Sequence, residues 1–184
     1  MLSYAILILG WVVYLALHSL LASERVKQHF SRSRFRLFYT VFSLAGLFAL
    51  LAWNGKITAA HFFFSEGWVR YISLLLTTFG VMVIQVTFRQ YSLRAFIGLT
   101  EEKTEFKTEG ILQYVRHPIY SGTILIIVGF FLFIPNLPTL ISCCLMLLYL
   151  PIGIYLEEKK LMAAYGERYR EYKKRVPSLV PRIF

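Results

Sequence analysis

The chain has 184 residues, enough for one domain. Hydrophobic residues make up 57% of it and charged residues 16%, a balance too apolar for an ordinary soluble domain. The net charge is +10 and Asp is absent, but the basic residues interrupt long apolar runs, which reads as membrane-surface anchoring rather than a nucleic-acid stripe.

A membrane-spanning helix needs about 20 residues to cross a core of roughly 30 Å. Residues 4–22 form the first apolar segment of that kind. It lacks the basic flank and short apolar core of a signal peptide, so it is read as a mature helix. Residues 37–53 and 68–88 form the second and third segments. The fourth, 119–134, is short and follows Arg116-His117-Pro118; the fifth, 137–156, follows the Pro135-Asn136-Leu137-Pro138 turn. Pro151 is expected to kink or locally break the fifth helix. Beyond it, Leu161, Met162, Tyr165, Tyr169 and Tyr172 recur at helical spacing with charges between them. That pattern predicts an amphipathic continuation near the membrane surface, interrupted at Gly166 and ended by Pro177 and Pro181. Cys143 and Cys144 are neighbours in an apolar run and read as packing or lipid-facing residues, because adjacent cysteines do not easily bridge each other. The fold expected is all-α and polytopic, with about five transmembrane helices and a C-terminal amphipathic cytoplasmic helix. It forms a single integral-membrane domain over 1–184, with a three-helix half over 1–90 and a helical hairpin with tail over 91–184.

Orientation follows from the basic residues. Arg25, Lys27, Arg32, Arg34 and Arg36 lie between the first and second segments, and Arg89, Arg94, Lys103, Lys107 and Arg116 between the third and fourth. Lys159, Lys160, Arg168, Arg170, Lys173, Lys174, Arg175 and Arg182 follow the fifth, while the opposite side holds only Lys56 and Arg70. The asymmetry predicts an N-terminus outside and a cytoplasmic C-terminus, in the inner membrane if the cell is bacterial.

The stretch Tyr114-Val115-Arg116-His117-Pro118-Ile119-Tyr120-Ser121-Gly122 joins a polar segment to an apolar one. Pro118 can open a helix, and the helix start beside Arg116 makes an anion site at the membrane edge. The tight hairpin of the last two segments brings Arg116 and His117 opposite Glu157 and Glu158. Those acids can be read as interfacial residues meeting water. Carboxylates are, however, unfavourable at a helix C-terminus, so a two-signed pocket for a zwitterionic ligand is the sharper reading. His18, Ser19, Gln85, Arg89 and Gln90 sit near membrane depth and are expected to face the bundle interior. For His18 both a helix–helix hydrogen bond and a substrate-site role are open. Phe62, Phe63, Phe64 and Trp68 read as an aromatic belt, and His29 and His61 as solvated loop residues. No spacing resembles a metal site or a glycine-rich phosphate loop.

The segment Glu109-Gly110 with Tyr114 to Gly122 resembles the signature of isoprenylcysteine carboxyl methyltransferases and their bacterial relatives. So does the later run Glu157-Glu158, Leu161, Tyr165-Gly166, Tyr169, Tyr172, Lys174-Arg175-Val176-Pro177. The resemblance covers roughly the last 75 residues. It implies integral-membrane enzymes that take a methyl group from S-adenosylmethionine (SAM). It also implies cofactor-binding roles for Tyr114, Val115, Arg116, His117, Pro118, Tyr120, Glu157 and Glu158, and a substrate role for Arg175. Tyr169, Tyr172 and Arg175 would close over the reacting groups. Leu17-His18-Ser19-Leu20-Leu21-Ala22 resembles bacterial branches that include a methanethiol S-methyltransferase and a nitrite-reduction-associated membrane protein. Phe96-Ile97-Gly98-Leu99 resembles the thiol-methylating branch. The partners implied are a small or lipophilic thiol or carboxylate acceptor and membrane lipids, with no nucleic acid and no metal. Two other readings stay open: a sterol-reductase-like NADPH enzyme, resembled in Tyr165-Gly166, Tyr172 and Arg175-Val176-Pro177, and a non-enzymatic membrane interaction protein.

Overall fold

The computed structural model describes residues 1–23, 26, 32–90 and 106–182. His29 and the Phe96–Leu99 motif lie outside them. Among the described residues the chain forms helices α1 (Leu2–Leu21), α2 (Arg32–Lys56), α3 (Gly67–Gln90), α4 (Pro118–Phe133) and α5 (Leu137–Arg175), with a 3₁₀ turn at Gly110–Gln113 before α4. Four of the helices, all but α4, are long and apolar enough to cross a membrane. The 16-residue α4 is the short fifth element expected from the sequence.

Local chemistry sets the boundaries. Pro118 occupies the first turn of α4, where its missing N–H costs no helical bond. Pro135 stops α4, since the residue before a proline is pushed out of the helical region. Asn136 then caps α5, its side chain accepting a bond from the Thr139 N–H at 3.0 Å. α5 does not break at Pro151, whereas the interruption expected at Gly166 is present. The backbone stays helical through Pro151 and leaves helical angles only at Gly166, with φ 51° and ψ −127°. Proline forfeits one backbone bond but keeps a helical φ, whereas Gly166 adopts angles that only glycine reaches without strain. A methyl at Gly166 would meet nothing within 4 Å, so the cost of substitution is purely conformational. Gly166→Ala is therefore expected to destabilise the protein by about 1–3 kcal/mol, measured by unfolding in detergent.

Among the described residues several packing seams assemble the bundle, and three of them carry its specificity. α2 runs antiparallel to α1, with Trp53 Nε1 on the Ser3 carbonyl, Tyr14 on the Ser43 carbonyl and His18 against Tyr39. α5 runs parallel to α1. There Trp11 Nε1 donates to Ser142 Oγ at 2.9 Å, and Ser142 donates to Asn54 Oδ1 at 2.9 Å, a buried network that links three helices. Each of these polar groups would be costly to bury unpaired, so the network specifies register.

The α4–α5 hairpin expected from the sequence is present, with Ile127 of α4 and Cys143 and Leu150 of α5 in one buried cluster. The third seam was not legible in advance: α4 lies closest against α3. A Cβ on Gly80 would stand 2.5 Å from the Gly122 carbonyl, and one on Gly122 would stand 2.6 Å from the Gly80 carbonyl. Gly129 packs in the same way against Thr77 and Ser73. Glycines let two backbones touch where lipid gives no hydrophobic drive for helices to associate. An apolar cavity of about 500 Å³ lies beside this seam, lined by residues such as Leu47, Thr77, Thr123, Phe130 and Met146 from α2 to α5.

Other expectations resolve simply. Cys143 is buried and Cys144 exposed. Phe62, Phe63, Phe64 and Trp68 are exposed near the start of α3. His61 is exposed and forms a bridge with Asn136. Gln85 does not face the bundle interior: it lies on an exposed face of α3, and the buried polar residue near it is Thr87. Thr87 satisfies its own hydroxyl on the Val83 carbonyl at 2.8 Å. A long amide near a helix end can reach out towards a polar region instead.

Candidate functional site

The start of α4 and the far part of α5 meet in one cluster. Glu158 is its centre. Its Oε1 accepts from Arg116 Nη2 at 2.7 Å and lies 3.2 Å from His117 Nε2. Its Oε2 accepts from Lys173 Nζ at 2.5 Å. Glu157 approaches from the next position, with Oε2 3.7 Å from His117 Nδ1. Burial opposes the charge on Glu158, but Lys173, His117 and Arg116 outweigh it and hold the carboxyl at about 2.

The cluster is graded in exposure. The side chains of Arg116, His117 and Glu158 are 9%, 1% and 13% exposed, whereas Glu157 and Lys173 are each 46% exposed. Tyr120 adds a hydroxyl facing Glu157, and its ring packs edge-on against His117, with centroids 5.7 Å apart. Gly153 makes that possible, because a Cβ there would come within 3.1 Å of the Tyr120 hydroxyl.

The chain after α5 straps across the start of α4. Arg116 N–H donates to the Pro177 carbonyl at 2.9 Å and His117 N–H to the Ser178 carbonyl at 3.0 Å. Ser121 Oγ donates to the Leu179 carbonyl at 2.6 Å. Arg116 Nη1 also donates to the carbonyls of Lys173, at 2.9 Å, and Val176, at 2.7 Å. A guanidinium thus satisfies the orphan carbonyls at the end of α5 and meets the negative end of its dipole. The anion site read at this helix start is therefore partly occupied by the protein's own carbonyls and by Glu158.

The strap is anchored by an aromatic cluster. Phe106 stacks on Tyr165 with centroids 4.9 Å apart and meets the edges of Tyr169 and Tyr172. Tyr172 donates its phenol to the Leu112 carbonyl at 2.6 Å, which ties this part of α5 to the 3₁₀ turn. Tyr169 is 1% exposed; its phenol faces Glu158 yet makes no hydrogen bond of good geometry. Burial first, and then the Glu158 charge, push that phenol above its ordinary value.

The sequence-nominated residues thus divide. Arg116, His117, Pro118, Tyr120, Glu157 and Glu158 converge. Val115 is buried beneath them and Tyr114 is 63% exposed. Tyr169 and Tyr172 lie in the adjoining aromatic cluster. Arg175 is exposed, its Nε on the Glu171 carbonyl at 3.4 Å. His18 engages α2 with both ring nitrogens, at 2.9 Å from Tyr39 Oη and 3.1 Å from Ser43 Oγ. Sequence reasoning missed Lys173, Phe106 and the strap carbonyls. Lys173 was hidden in a basic run, and backbone carbonyls carry no residue signal at all.

The family model described as NnrU protein matches residues 6–182. The chain belongs to the NnrU family. Among relatives of this NnrU-family chain is a protein named methanethiol S-methyltransferase from Crocosphaera subtropica. It is 31% identical over 180 residues, covering 90% of this chain and 70% of that protein. A methanethiol S-methyltransferase 1 from Bradyrhizobium diazoefficiens is 29% identical over 89% of this chain and 62% of its own length. A protein-S-isoprenylcysteine O-methyltransferase B from Arabidopsis thaliana is 29% identical over 76% of this chain and 73% of its own. These relatives agree with the family resemblance carried by the Arg116 and Glu157–Glu158 motifs. No solved structure matches the chain significantly.

Proposed function

We propose that this protein is an integral-membrane methyltransferase that uses SAM to methylate a small or lipophilic acceptor, a thiol in the first instance. The observation that carries the reading is the convergence of Arg116, His117, Glu157, Glu158 and Lys173 at the polar end of apolar helices. The names of the relatives supply the acceptor class. Cytoplasmic placement of that end, with the N-terminus outside, is part of the proposal and rests on the basic-residue asymmetry.

The residues fit such a cofactor. Its amino-acid end needs a cation and an acid close together, and its hydroxyls need acceptors. Two buried polar atoms in this cluster, Arg116 Nε and Tyr169 Oη, have no partner among the described residues. When bound, SAM would supply a methyl already activated on a sulfonium, to be taken by an acceptor sulfur that has lost its proton to bulk solvent before entering, with a neutral thioether as the leaving group. The protein's part is alignment and exclusion of water more than strong base catalysis. Tyr169, Tyr172 and Phe106 wall one side of the cluster with aromatic surface. The apolar cavity reaches Thr123, one turn beyond Tyr120, and offers apolar room along α4 for an acceptor arriving from the bilayer.

Membranes containing the protein should transfer label from methyl-labelled SAM to one member of a panel of short alkyl thiols, prenylcysteine analogues and phospholipids. Label in a volatile thioether assigns a small thiol. Absence of transfer to every acceptor, together with no calorimetric binding of S-adenosylhomocysteine, sinks the proposal.

A further inference from the structure

We infer that the charges offered to the amino-acid end of the ligand are those of Glu157 and Lys173, and that Arg116 and Glu158 act as a positioning lock. The inference rests on the SAM reading above and assigns the roles within that site.

The argument is one of valence and access. Glu158 already receives Arg116, His117 and Lys173 across both of its oxygens. Arg116 spends Nη1 on two carbonyls and Nη2 on Glu158, and its Nε, though without a partner, is buried. A ligand carboxylate that took Nη1 or Nη2 from these partners would leave Glu158 and the end of α5 uncompensated. Glu157 and Lys173 carry no such load. Each is 46% exposed, and each stands at the rim of the same cluster. Lys173 has three donors and uses one on Glu158 at 2.5 Å, so it can hold a carboxylate without leaving the lock. Glu157 has a long approach to His117 at 3.7 Å and faces the Tyr120 hydroxyl, which leaves its half-exposed carboxylate with lone pairs to accept from an ammonium. The Tyr169 phenol belongs to the same cluster, 1% exposed, facing Glu158 and without a well-formed hydrogen bond. A buried hydroxyl left this way marks the place where a ligand's polar group completes the set.

The test titrates the full-length protein in detergent with S-adenosylhomocysteine and follows its thermal unfolding in parallel. Glu157→Gln and Lys173→Met are expected to weaken binding by about 10- to 100-fold, Glu157→Gln while melting close to wild type and Lys173→Met with a smaller fall in melting temperature than Arg116→Met. Arg116→Met and Glu158→Gln are expected to lower the melting temperature. The ligand side provides the sharper readout. The desamino analogue should bind wild type and Glu157→Gln equally, and the decarboxylated analogue should bind wild type and Lys173→Met equally. The inference is overturned if Glu157→Gln and Lys173→Met bind like wild type, or if Arg116→Met or Glu158→Gln abolishes binding without moving the melting temperature. Wild type that binds no S-adenosylhomocysteine overturns the SAM reading itself, and the inference with it.

Discussion

Glu158→Ala is expected to lower stability by about 2–3 kcal/mol, somewhat less than for a fully buried pair because the carboxylate keeps some solvent contact. The loss has a structural cause. Arg116, at 9% exposure, and His117, at 1%, would be left facing each other and Lys173 without the anion that joins them. The strap over α4 would loosen with them, since Arg116 holds the Lys173 and Val176 carbonyls. Chemical unfolding in detergent, followed by circular dichroism, gives the number. The pH profile gives the sign. Glu158 is held at about 2, below its ordinary 4.5, so its contribution is complete above about 4.5. It is lost as pH falls from there through about 2. The wild-type melting temperature should fall across that window, and Glu158→Gln should lack this component of the fall. Equal slopes in the two proteins would show that Glu158 is not the group being titrated.

Gly122→Val is expected to be at least as damaging. A Cβ at Gly122 would stand 2.6 Å from the Gly80 carbonyl, which is backbone and cannot swing aside. Overpacking commonly costs about 1–3 kcal/mol, and a contact that only helix separation can relieve belongs at or above the upper end. Because α4 begins at Pro118, separating it from α3 also shifts Arg116 and His117 against Glu158. Yield of folded protein, unfolding midpoint and S-adenosylhomocysteine binding should therefore fall together. Gly55→Ala is the matching control: nothing lies within 4 Å of a Cβ there, and alanine suits a helix better than glycine. A Gly122→Val protein as stable as the Gly55→Ala protein would refute the close α3–α4 seam.

Much of the architecture was legible because a bilayer leaves a chain few options. Long apolar runs must become helices, so composition and run length alone predicted the spans, and Pro118 and Asn136 marked the helix starts around the short α4. Of the two interruptions expected in α5, the one at Gly166 is present, since its angles are ones only glycine holds comfortably. The backbone stays helical at Pro151, because a proline inside a helix forfeits one bond but keeps a helical φ. The Gly80–Gly122 seam was not visible, because two single glycines 42 positions apart have no periodic signal. His18 stood open between two roles, and its bonds to Tyr39 and Ser43 tie it to α2.

The sequence by itself determined the class of protein and the presence of opposite charges at one end of the bundle. It did so because charge, hydrophobicity and proline geometry are properties of residues and of their local order. Only the tertiary structure decided how the charges are shared. Which carboxylate is saturated, which cation remains at the rim, and which carbonyls close over the start of α4 depend on where α5 turns at Gly166 and how residues 176–179 return. Those are distances between segments about 60 positions apart, and no local pattern encodes them.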